Sequence, residues 1–130
     1  MKNASVRIIE KEIAGTSYPL AFSLQAYAEC HAKFGDVAGI FAAMEIGKDL
    51  NAVHNVMWLF SLLNTWGVKC KEIIFQEEGN SFRLEEAKVT MGIYECIDMK
   101  TAVMEAIAAG MAREVEVEVE TKNAVTTQTN

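Results

Sequence analysis

The hydrophobic positions of this chain change period along its length. Residues 6–13 are rich in β-branched side chains, Ala14-Gly15-Thr16-Ser17 supplies a turn, and Tyr18, Leu20 and Phe22 then alternate with other residues. Two short β-type runs around a turn predict a β-hairpin. Pro19 has no amide hydrogen to give a ladder, so its strand is expected at an edge or short. A lone hairpin is marginal in water and has to lie on something larger.

Helices are the predicted support. Leu24, Tyr27, His31 and Phe34 recur at helical spacing. Ser23 is placed to cap this helix, Phe22 and Tyr27 to staple its entry, and Gly35 to stop it. Asp36 is expected to cap a second helix over residues 37–45, ended by Gly47. Its apolar stripe is Val37, Ile40, Phe41 and Met44, while Ala38, Gly39, Ala42 and Ala43 form the other side. So little charge is unusual for a surface helix.

Asp49 or Asn51 opens a third helix, predicted to run to about Trp66 before Gly67. Residues 56–63 are apolar on nearly every side, so this helix is expected at the centre. The charged stretch "VKCKEIIFQEEGNSFR" predicts a short helix and then a loop at Gly79-Asn80. A weaker helix over residues 84–91, a break at Gly92, and a last helix over 99–111 capped by Asp98 complete the pattern. The prediction is a mainly α fold: one small helical bundle over residues 1–112 with an N-terminal β-hairpin at about 5–22. Beyond it "REVEVEVE" alternates Val115, Val117 and Val119 with glutamates, and "TKNAVTTQTN" has no apolar period. Residues 113–130 are therefore expected to form an acidic tail, extended to about residue 120 and disordered from about Lys122.

Composition narrows the class. The chain has 130 residues, 51% hydrophobic and 23% charged, which suits one globular domain. Its net charge is −6 and it has no Lys/Arg run, which disfavours nucleic acid as a partner. No apolar run approaches the roughly 20 residues that span a bilayer, so no membrane partner is expected. The first ten residues turn charged before a leader-like apolar core can build. Three irregularly spaced cysteines without a CxxC pair fit reduced thiols, so the chain is expected in a cytoplasm.

No catalytic or metal-binding constellation emerges. Cys30 and His31 are adjacent on a helix, where neighbours diverge by about 100° rather than share a proton. Cys30, His31 and His54 lack the paired spacing of metal ligands. Glu77-Glu78 and Glu85-Glu86 lie in charged segments and read as solvated carboxylates. The glycines form neither a Walker loop nor a GxGxxG pattern. No catalytic residue, metal ligand or cofactor is assigned. The expected activity is binding, with Ala38, Ile40, Phe41, Ala42 and Met44 of the second helix as candidate contacts to a partner or a second subunit.

The order of motifs resembles the tail assembly chaperones of long-tailed bacteriophages and prophages. A hairpin ending in "G-x-x-Y-x-L-x-F" is matched by Gly15, Tyr18, Leu20 and Phe22; a helix closing on "K-F-G" is matched by Lys33, Phe34 and Gly35. "W-L-x-x-L-L-N" follows at Trp58, Leu59, Leu62, Leu63 and Asn64. Then come "G-V-K" at 67–69, "L-E-E" at 84–86, and "A-V-x-x-A-I-x-x-G" at 102–110. The likeness spans about residues 5–112, with a less firm fit in the charged stretch before Leu84. It implies a non-enzymatic protein of the host cytoplasm that keeps the tape measure protein soluble while the tail tube assembles. It further implies contact with the tail tube protein, and with a frameshift-extended form of the chain itself. A small prophage regulator or adaptor is the alternative, and an enzyme built on Cys30 or His31 is a third class.

Overall fold

Ala14 and Gly15 both take positive φ, 52° and 85°, as the mirror-image turns of two-residue hairpin loops require. In the computed structural model, which describes residues 6–112, they join β1 (Ile8–Ile13) to β2 (Thr16–Ala21). The strands pair antiparallel, from Ile8 opposite Ala21 to Ile13 opposite Thr16. Thr16 and Ser17, expected in the turn, therefore belong to β2. Pro19 sits opposite Glu10 in a sheet of two strands, where every strand is an edge.

The alternation expected after Tyr18 is overridden by packing. Tyr18, Pro19, Leu20 and Ala21 are all buried, because the helices and the segment after them cover both faces of β2. The bundle consists of α1 (Leu24–Phe34), α2 (Val37–Ala43), α3 (Ala52–Cys70), α4 (Leu84–Thr90) and α5 (Ile93–Met111). This is the mainly α bundle with an N-terminal hairpin that the sequence predicts.

Local chemistry at the early helix starts follows the sequence. Ser23 Oγ accepts from Ala26 N at 3.3 Å, and the Phe22 and Tyr27 rings meet edge-on at 5.8 Å. Asp36 Oδ1 accepts from Gly39 N at 3.0 Å. α2 ends at Ala43, slightly short of the expected residue 45.

The later boundaries differ. α3 does not stop at Gly67 but runs through it to Cys70, then continues as a π-helical turn over Lys71–Phe75. Gly67 is buried where α3 crosses β2; a Cβ there would stand 2.2 Å from the Pro19 carbonyl oxygen. Its missing side chain serves close approach, not helix termination. The helix ends only at Gln76, in the left-handed region at φ 58°.

α5 begins at Ile93 rather than Met99. Gly92 N donates to Glu95 Oε1 at 2.8 Å, so Glu95 closes the helix start and Asp98 lies exposed within the helix. The expected tail at 113–130 lies outside the described residues.

α3 is the central element, with Val56, Met57, Leu59, Phe60 and Leu63 buried. Asn64, buried beside them, donates through Nδ2 to the carbonyls of Pro19 and Asn80, each at 3.0 Å. Its Oδ1 accepts from Phe82 N at 2.7 Å. One amide therefore ties α3 to β2 and to the segment after the π turn. Phe82 then completes an aromatic triad with Tyr18 and Phe60, at centroid distances of 5.6 and 4.9 Å. At the rim, Lys71 donates to Glu10 at 2.9 Å, which raises the lysine pKa, and Lys11 pairs with Glu105.

Candidate protein-interaction surface

The candidate contacts on α2 divide between core and surface. Ile40 and Met44 are completely buried and form part of the core, so they cannot anchor a partner. Phe41 is 37% exposed, and Ala38 and Ala42 are exposed beside it. The small-residue side is split as well. Gly39 abuts α1, where a Cβ would meet the Phe34 carbonyl at 2.1 Å, and the Ala43 carbonyl accepts from Asn55 Nδ2 at 3.0 Å. The absence of charge that made this helix unusual thus has a partly internal cause: α2 is short and is held between α1 and α3.

Cys30 and His31 do not converge. Cys30 lies in the core, where burial and, secondarily, the Glu29 charge push its thiol up to about 11. His31 is exposed and lies 5.7 Å from the Tyr27 ring. Cys96 is buried and Cys70 half-buried, and burial raises both thiols. Among the described residues no group of His, Cys, Asp and Glu is arranged to hold a metal ion. Likewise, no described helix is long and apolar enough to cross a membrane.

An apolar groove runs along the first half of α3. A depression of about 310 Å³ opens between the start of α3, α4 and the start of α5. Val53, Met57, Met91, Ile93 and Met99 line it, with His54 and Lys88 at its edge. His54, Met57 and Lys88 also border a neighbouring hollow of about 200 Å³ that reaches Trp58, Leu84 and Lys33. There Phe34 packs edge-on against Trp58 at 5.7 Å, and the Lys33 ammonium lies 5.0 Å from the Trp58 ring. The two hollows form one trench with a methionine-rich apolar end and a cationic, aromatic end. Methionine side chains adapt to different apolar shapes, and a volume near 300 Å³ is at the small end for a ligand site. Such a trench suits one or two bulky side chains of a partner helix.

A separate cleft of about 390 Å³, lined by Val6, Phe22, Tyr27, Val37 and Met111, adjoins both ends of the described segment. Sequence reasoning missed both the trench and the outward face of α5. The trench is assembled from three helices distant in sequence. The α5 face was hidden because Ile93, Tyr94 and Ile97 were placed ahead of the helix.

Set against protein-family models, curated proteins and solved structures, the chain matches none.

Proposed function

We propose that this protein is a non-catalytic tail assembly chaperone of a long-tailed phage or prophage, acting in the host cytoplasm. It binds the tape measure protein and keeps it soluble. The observation that carries this reading is the methionine-lined trench along α3, on a bundle whose motif order resembles that family. An unassembled tape measure protein is long and helical, with apolar stripes that aggregate unless covered. A helix laid in the trench would place an apolar side chain among Met57, Met91 and Met99. Phe41, with Ala38 and Ala42, adds a further uncharged contact. The net charge of −6 keeps such a complex dispersed.

The reading requires a long, helix-rich reading frame just downstream, and the test is co-expression of its product with this chain. The long protein should become soluble and co-purify with this chain. His54→Glu places a charge in the middle of the trench, at an exposed position in the first turn of α3, where an acid favours folding. That variant should stay folded and lose the complex. A long protein that is soluble alone, or insoluble with both, overturns the chaperone reading. Undiminished binding by His54→Glu removes the trench as its site.

A further inference from the structure

We infer that α5 is a self-association helix, pairing in parallel with α5 of a second copy of this chain. The inference is independent of the chaperone reading and is measured on the chain alone. α5 carries two apolar faces. The first, Cys96, Met99, Ala102, Val103, Ala106 and Ile107, is buried in the bundle. On the opposite side Tyr94, Ile97, Thr101, Met104, Ala108 and Met111 are all exposed, Tyr94 by 77% and Met111 by 58%.

These outward residues follow one another in alternating steps of three and four along the helix. That period, averaging 3.5, keeps a seam facing a partner helix in a left-handed coiled pair. The seam is about 26 Å long at the α-helical rise of about 1.5 Å per residue. No charged residue interrupts it. Ile97, Met104 and Met111 supply bulk, and the smaller Thr101 and Ala108 between them let two backbones approach.

The flanks identify the occupant and its direction. Asp98 and Glu105 border the seam on one side and Lys100 on the other. In a parallel pair Lys100 of each copy lies opposite Glu105 of the other, giving two symmetry-related attractions. Among the described residues Lys100 has no ion-pair partner within its own chain. Glu105 meets Lys11 through one carboxylate oxygen, Oε1. An antiparallel pair would instead bring Asp98 against Glu105, which is repulsive.

Sedimentation equilibrium of the full chain over the micromolar range should show a monomer–dimer equilibrium. Ile97→Asp combined with Met104→Asp should give a folded monomer, with unchanged far-UV circular dichroism. Lys100→Glu should weaken the dimer roughly three- to tenfold, and adding Glu105→Lys should restore it. Ala108→Cys, in a Cys70→Ser background, should form a disulfide-linked dimer under mild oxidation. In an antiparallel pair position 108 would face position 97 and the two thiols would lie about 16 Å apart, beyond the reach of a disulfide. A chain that stays monomeric, a dimer indifferent to the seam substitutions, or failure of Ala108→Cys to cross-link overturns the inference. A monomer that binds a different helix through Ile97 overturns it too.

Discussion

Gly67→Ala separates two readings of the same residue by the sign of its effect. In an ordinary helix interior, alanine is favoured over glycine by about 1 kcal/mol, and Gly67 lies well inside α3. At this crossing, however, the new Cβ would stand 2.2 Å from the Pro19 carbonyl oxygen, 2.5 Å from its carbon and 2.7 Å from Leu20 N. All three are backbone atoms in a paired strand, so none can swing aside. Either α3 or β2 must retreat by about 1 Å to reach ordinary contact distance, which gives up dispersion contacts along the whole crossing. Overpacking of this kind costs about 1–3 kcal/mol. The same retreat stretches the Asn64 Nδ2 bond to the Pro19 carbonyl, for about 1 kcal/mol more. After subtracting the helix-propensity gain, the expected net destabilisation is about 2 kcal/mol. For a domain of this size that lowers Tm by about 8 °C. Urea unfolding followed by circular dichroism measures it, with an unchanged m-value confirming that the native state is otherwise intact. A variant as stable as the wild type, or more stable, would refute the close crossing of α3 on β2.

Other substitutions test separate parts of the structure. Asn64→Ala should cost about 3 kcal/mol in chemical denaturation, because it strips partners from two carbonyls and the Phe82 amide in a buried place; a loss below about 1 kcal/mol would show that water replaces the side chain. Glu95→Ala should cost about 1 kcal/mol by opening the start of α5, whereas Asp98→Ala should change stability by less than about 0.5 kcal/mol. The reverse ranking would return the helix start to the position expected from sequence. Cys30 ionises at about 11 in the fold against an ordinary 9.0, so the folded protein holds that proton more tightly than the unfolded chain. Its contribution to stability is therefore complete below pH 9 and falls as pH rises towards 11. In native protein a disulfide reagent should modify Cys70 first and reach Cys30 and Cys96 only on unfolding.

How much of this protein is written in local sequence depends on how far each signal reaches. The hairpin, the Ser23 and Asp36 caps and the Phe22–Tyr27 staple were legible because each joins residues within a few positions of one another. The central place of α3 was legible as well, since a helix apolar on nearly every side has nowhere else to go. Gly67 misled because a glycine that stops a helix and one that lets a strand pass close by are the same letter. Only the crossing of α3 over β2 distinguishes them. Asp98 misled for a related reason: several acids precede the apolar period of α5, and the backbone geometry at Gly92 selects Glu95. On α2, Ile40 and Met44 share an apolar stripe with Phe41, yet the first two are buried and Phe41 is left at the surface. Periodicity identifies an apolar face but not what covers it. The methionine trench shows this most clearly, because its walls come from α3, α4 and α5. A chain pattern can specify each helix, but a concave surface exists only after the helices have packed.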